Sequence, residues 1–421
     1  MSTRTSAIII CASSCPLTAE QHLNADVVSD GTVNGLDLAK LRQMAANTDP
    51  VSDAVYIHLN DAGITVEGDT KGVTAVSGKT VTISASGTYV ADGTITDGQI
   101  LVNVPETDTE DVSLFLQDVT MTSTTGAPCI YGQSAAKVKL TCGGTNTLTD
   151  TAAAANASTS GVIYGACDIT VTKNSTGSLN ITSSMNTGIN CKDDIKLNGG
   201  TVNIVTDVDD TSDADAIKAN NTIEVDGAAV TIDSSADGIK SSKEDVSILS
   251  GTVSIKAGND AVQAATSLAI SGGTVVACGD RGFTLDEGGA FAITGGDVIA
   301  TATDYAFGQN AAGTAMTIDT SGCTQTIMQL DYAAEWKKGN AVTIQKSGST
   351  VYEMTPVKKF DYVLVSGSGL DASSTYQVYT GGTQPDFQHF SRKCHHRPTN
   401  IPGRIFHPLR TFCFFHNICT P

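Results

Sequence analysis

Tryptophan occurs once in 421 residues, aromatic side chains make up 5% of the chain, and charged ones only 16%. A chain this poor in charge, yet 40% hydrophobic, lacks the solvated composition of a disordered polymer. Basic residues are the scarcer sign. Lys and Arg number 25 against 44 Asp and Glu, and the net charge of −19 excludes nucleic acid, which wants a basic surface. No apolar stretch reaches the length that crosses a membrane. The eleven cysteines contain no CxxC spacing, so neither a zinc ligand set nor a redox pair is indicated. A 3.6-residue hydrophobic period is also missing from the central part of the chain, which removes helical bundles.

What is present is Gly, Ser, Thr, Ala, Val and Ile in even rotation, a composition suited to many short strands and tight turns. Residues 52–384 carry repeats. Ile189, Ile217, Ile239, Val262, Phe283 and Phe307 recur at separations of 28, 22, 23, 21 and 24 residues. Within a repeat a second apolar pair follows, as in Ile195/Leu197, Ile223/Val225 and Val246/Ile248, and a third closes the unit, as in Val202/Ile204, Val230/Ile232 and Val253/Ile255. Three period-2 strands per roughly 22 residues predict an all-β fold, a right-handed parallel β-helix. A β-sandwich would show hairpin turns and no fixed repeat. Coils stacked at about 4.8 Å give a rod of about twelve coils, roughly 55–60 Å long. The pattern loses regularity after about residue 310.

Three flanking segments differ. Residues 1–23, with Arg4 and the short apolar run Ala7 to Ala12, read as a clipped signal segment, and a secreted protein is expected. Residues 24–46 read as a calcium loop followed by a helix that places Leu38 and Leu41 on one face. Counted from Asp26, oxygen ligands fall at positions 1, 5, 9 and 12 as Asp26, Asp30, Asn34 and Asp37, with Gly31 at the sharp turn and Thr32 offering its carbonyl. Residues 385–421 hold five of the seven His, six of the eleven Phe and five of the ten Pro, and reverse the charge of the rest. They read as a spurious or disordered tail, with a metal site at Cys394, His395 and His396 as the alternative.

Two resemblances rest on these residues. The 24–46 unit resembles one calcium-binding repeat of a type I dockerin, which implies a cohesin as partner; it departs from that pattern by placing Val28 at position 3 and by lacking a second repeat. The coils GKTVTISASGTYVADGTITDGQILVNV, SLFLQDVTMTSTTGAPCIYG and the DAIKA, DGIKS, DAVQA series resemble the clostridial cellulose- and acidic-sugar-binding β-helix family, over roughly residues 55–310. That resemblance implies a fold similar to pectate lyases. It also implies binding of plant cell-wall polysaccharide, both cellulose and acidic sugars such as polygalacturonate, with calcium on the helix.

Candidate site residues follow from the repeat. Asp215, Asp237 and Asp260 occupy one place on successive coils, with Asp280 and Asp304 close to the same line and Asn259 beside it. Carboxylates stacked about 5 Å apart repel one another, and a bridging Ca²⁺ would turn that repulsion into ligation. Asp209, Asp210 and Asp213 add a dense oxygen source just upstream. The bland alternative is that Asp sits in turns for backbone reasons. Lys218 and Lys240 follow the Asp positions identically and should face outward, either pairing with Asp or meeting sugar carboxylates. Tyr131 and Tyr164, each in an Ile-Tyr-Gly step, would offer a sugar-stacking platform or stack between coils. For a lyase reaction the weak catalytic candidates are Arg281, Lys218 and Lys240, because abstraction of the proton α to a uronate carboxylate needs a basic side chain and calcium. The expectation is therefore a calcium-dependent, non-catalytic carbohydrate-binding protein. A polysaccharide lyase and a structural adhesion stalk are the alternatives.

Overall fold

A computed structural model describes residues 53–154, 156–206, 214–303 and 319–385, and the backbone of 387–393. Apart from two three-residue 3₁₀ turns, its regular elements are strands. One strand of every coil joins a ten-stranded sheet, and within it nine strands, from Thr80–Ile83 to Arg281–Leu285, stack in parallel. The register is the one the repeat predicts: Ile189 pairs with Ile217, Ile217 with Ile239, Ile239 with Val262, and Val262 with Phe283. Phe307 lies outside the described residues. The chain is thus a parallel β-helix.

The other two strands of each coil belong to one 19-stranded sheet, because some strands run unbroken around the bend between two faces. Ile223–Ser234 and Asp245–Ala257 do so, with a register shift around Asp226. At that corner Gly251 has φ 96°, and a Cβ there would meet the Ala228 carbonyl oxygen at 2.3 Å, so no other residue fits. Inward side chains of all three faces form one continuous buried core from Val55 to Leu364. No single coil could bury its apolar face alone.

The described residues hold fewer parallel coils than the dozen expected, because both ends turn antiparallel. At the N-terminal end Thr65–Glu67 pairs antiparallel with Val55–Leu59, and Thr74–Ser77 with Thr80–Ile83. At the other end Phe360–Ser366 runs antiparallel to both Asp297–Ala302 and Ile327–Trp336. The irregular part, where it is described from residue 319 onward, is therefore a cap with its own core, in which Met328, Leu330, Tyr332, Phe360 and Val363 pack with Ile299 of the last described coil. Such ends cover strand edges that would otherwise pair with another molecule. The backbone of Phe387–Lys393 continues this cap by pairing with Ile327–Trp336, although composition assigned 385–421 to a separate tail. The six described cysteines are buried free thiols. Cys191 stands in register with Gly165, so Cys129, Cys167 and Cys191 do not form one column.

Candidate functional site

In-register parallel pairing lines up one outward side chain per coil along the ten-stranded sheet. Tyr131, Tyr164, Asn190, Lys218, Lys240 and Gln263 form this line, each paired with the next. At about 4.8 Å per step the line is about 24 Å long. Its N-terminal half is aromatic and its C-terminal half cationic. Lys218 and Lys240 face outward as expected, their side chains 32% and 26% exposed.

The two tyrosines behave differently from an open platform. Their rings meet edge-on, with centroids 5.4 Å apart at 69°. Tyr131 is half-buried, but Tyr164 is 4% exposed. Burial pushes the Tyr164 phenol above its ordinary range, with Tyr131 next in effect. Beside it Asn190 donates its amide to the Ser160 carbonyl oxygen at 2.6 Å, which brings the segment before Gly161 over this part of the sheet. Tyr164 is therefore an inter-coil contact rather than a stacking surface, and Tyr131 alone keeps an accessible ring.

The Asp positions lie at the turn leading into the same strands. Asp215, Asp237 and Asp260 are 1%, 1% and 2% exposed. Each is tied to the next coil: Asp215 Oδ1 accepts the Asp237 backbone N–H at 3.2 Å, and Asp237 Oδ1 accepts that of Asp260 at 3.0 Å. Asn259 adds its side-chain amide to Asp237 Oδ1 at 2.8 Å. The remaining charge is met by three cations, two of them from the line itself. Lys218 Nζ stands 2.9 Å from Asp215 Oδ2, Lys240 Nζ 2.6 Å from Asp237 Oδ2, and Arg281 pairs with Asp260 while donating to Asn259 Oδ1 at 2.9 Å. The Lys218–Asp215 contact is an ion pair outside hydrogen-bond geometry, since Asp215 Oδ2 has no hydrogen-bond partner.

Burial, then the neighbouring charge of Asp237, raises Asp215, and the same causes push Asp260 up to about 6 against the pull of Arg281. Desolvation opposes the charge of Lys240, but Asp215 and Asp237 outweigh it and raise this ammonium above its ordinary value.

Arg281, not Asp280, holds the register position opposite Asp260. Asp280 points elsewhere and takes the cap's Lys358 at 2.7 Å, so it leaves the ladder because the turn shifts it by one residue. With its guanidinium held by Asp260 and Asn259, Arg281 is no free base.

Calcium takes six to eight oxygens at 2.3–2.6 Å. In the ladder one oxygen of Asp215 and of Asp237 is spent on backbone N–H groups, and the others face Lys nitrogens. Among the described residues no group of three or more His, Cys, Asp or Glu is placed to hold a metal ion. The ladder as folded does not fit calcium. Asp26, Asp30, Thr32, Asn34, Asp37, Asp209, Asp210, Asp213 and Asp304 lie outside the described residues, as do Cys394, His395 and His396.

Asn190 and Gln263 were not singled out in the sequence. The signal was available, because each follows a stacked Ile or Val, as Lys218 and Lys240 do.

The chain is similar to known proteins. A family described as carbohydrate-binding domain-containing protein matches residues 77–384. A carbohydrate-binding domain-containing protein of Acetivibrio thermocellus is 36% identical over 137 residues, which cover 31% of this chain and 46% of that protein. The chain thus spans about half the length of that curated relative. A solved structure described as a polysaccharide lyase-like protein from C. thermocellum, a gadolinium derivative, aligns with 57% of this chain and 94% of its own at 27% identity and a TM-score of 0.46. Among the described residues no helix is long and apolar enough to cross a membrane.

Proposed function

The chain belongs to the family of carbohydrate-binding domain-containing proteins, and from that premise we propose that it holds a plant cell-wall polysaccharide along the outward line of the ten-stranded sheet, without cleaving it. The observation that carries the reading is the line itself, which presents Tyr131 and then, beyond the buried Tyr164 and Asn190, Lys218, Lys240 and Gln263 on successive coils. A polymer lying parallel to the rod axis meets Tyr131 at one end and the three polar side chains from Lys218 to Gln263 at the other. Tyr131 gives a sugar ring an apolar face, the Gln263 amide gives a paired donor and acceptor, and the lysines suit a uronate carboxylate. Acidic polymers such as polygalacturonate are the favoured ligand, and cellulose, which lacks charge, should bind more weakly because the line has a single accessible aromatic ring.

The non-catalytic reading is preferred to a lyase because Arg281, Lys218 and Lys240 are each engaged by a buried carboxylate. Calcium enters the proposal only through the Asp26–Asp37 and Asp209–Asp213 segments, and a cohesin only through the former. Action on an insoluble wall polymer fits an extracellular location, which fractionation of culture supernatant tests.

Affinity gels containing polygalacturonate or cellulose, run with calcium and with chelator, test the function. Retardation in polygalacturonate supports it. Unchanged mobility in every gel would reduce the rod to a scaffold, and release of an unsaturated, ultraviolet-absorbing product would make it a lyase.

A further inference from the structure

A stack of three carboxylates at coil spacing is untenable without positive charge between or beside them. The usual source of that charge on an acidic protein is a divalent cation, and the net charge of −19 makes calcium the first expectation. The turn has a different solution. Each carboxylate of the stack is matched by a basic side chain: Asp215 by Lys218, Asp237 by Lys240 and Asp260 by Arg281. In the first two pairs the basic residue lies three positions later, at the outward place of the strand that the turn introduces. In the third it comes from the next coil, in register with the Asp it serves. Three negative charges meet three positive ones, so the column is neutral as folded.

We infer that Lys218, Lys240 and Arg281 are built-in counter-ions that stand where calcium would otherwise sit, so that this turn, and the sugar-facing line above it, need no calcium. Two features support the assignment. Lys240 Nζ lies 2.6 Å from Asp237 Oδ2, a charge-assisted contact that an ion could enter only by displacing the ammonium. The inner oxygens of Asp215 and Asp237 are committed to backbone N–H groups of the following coil, which fixes the carboxylates facing the cations. The lysine side chains are 32% and 26% exposed, and of the three donors of an ammonium Asp237 takes one from Lys240, while Asp215 meets Lys218 as an ion pair without a hydrogen bond. A ligand carboxylate can therefore be received on the remaining donors. That last consequence rests on the binding proposed above; the counter-ion assignment does not.

The test exchanges the internal cation for an external one. In full-length protein, Lys218→Met and Lys240→Met together remove two counter-ions at nearly constant bulk, and bound calcium is measured by equilibrium dialysis beside the thermal midpoint. The expected result is that the double variant melts below the parent in chelator, gains a calcium ion the parent does not bind, and recovers part of its midpoint with calcium. Adding Asp237→Asn should abolish the gained ion. If the double variant does not fold, Lys240→Met alone is read the same way, with Lys240→Arg expected to behave as the parent. A parent whose calcium content falls on Asp237→Asn would overturn the assignment, as would a lysine variant that melts with the parent in chelator or gains no ion. Loss of polysaccharide retention is a separate readout, so failure of the binding proposal leaves the calcium result interpretable.

Discussion

Asp237 accepts the backbone N–H of Asp260, one coil further along, on its Oδ1 at 3.0 Å. The side chain of one coil thereby fixes the start of the next, while its other oxygen holds Lys240 at 2.6 Å. One carboxylate thus both ties two coils at the turn and holds the outward lysine.

That double duty makes Asp237 the most sensitive position of the turn. Asp237→Ala strands Lys240, the Asn259 amide and the Asp260 N–H together. Loss of one partner from a buried pair costs about 3–5 kcal/mol. Asp237→Asn keeps an acceptor for the N–H and should cost less. Denaturant midpoints of the two variants check this order, and equal midpoints for Asp237→Ala and the parent would contradict it.

Acidification should stabilise the fold over a defined window. Asp260 sits at about 6 when folded, through burial and then the charge of Asp237, against an ordinary value of 3.8. The folded state then binds more protons than the unfolded one between those values. Stability from this group is present at the acid end and is lost as pH rises through 6, by at most about 3 kcal/mol. Asp150, raised first by its burial, shifts the same way. The thermal midpoint should be several degrees higher at about pH 5 than at about pH 7.5, and Asp260→Asn should shrink the difference. A midpoint that falls on acidification equally in both proteins would refute the assignment.

The cap is pinned to the helix by Lys358, which donates to the Ala257 and Gly258 carbonyl oxygens at 2.8 and 3.1 Å and to Asp280 at 2.7 Å. Lys358→Met leaves these acceptors unmatched and should weaken the cap by about 1–3 kcal/mol. Hydrogen exchange should rise in residues 319–385 and stay unchanged in the coils around Ile189. Uniform protection across both regions would show that the apolar contact with Ile299 suffices.

The extent to which this was legible from sequence differs between core and turn. The inward positions were readable because a solenoid core repeats one environment, so Ile189, Ile217, Ile239, Val262 and Phe283 had to recur at the coil length. The turn was not, since spacing gives position but not direction. Asp215 and its successors recur like surface residues yet are buried under their cations and the next coil, and a one-residue shift puts Arg281 where Asp280 was expected. The antiparallel cap escaped for the same reason that the coils were visible: it has no repeat to read. Tyr164 shows a third limit, because its burial accompanies contact with the Tyr131 ring of another coil, which no pattern in its own coil announces.

Binding should depend on the two ends of the line as well as on its lysines. Tyr131→Ala and Gln263→Ala touch neither the Asp column nor the main core, so each should lower affinity for polygalacturonate several-fold, in line with about 1 kcal/mol for a lost contact. The thermal midpoint should change little in Gln263→Ala and fall modestly in Tyr131→Ala, which loses the edge-on contact with Tyr164. Normal affinity in both variants would move the ligand to another face.

The central claim is that a polymer lies along the rod axis and spans the accessible side chains of the line, from Tyr131 to Gln263. Titration with galacturonate oligomers of increasing length tests this most directly. Affinity should climb with each added unit until the oligomer spans the line of about 24 Å from Tyr131 to Gln263, and then level off. It should climb less far in Tyr131→Ala and Gln263→Ala. An affinity that is the same for the shortest and longest oligomers, or a length dependence untouched by either substitution, would contradict the account.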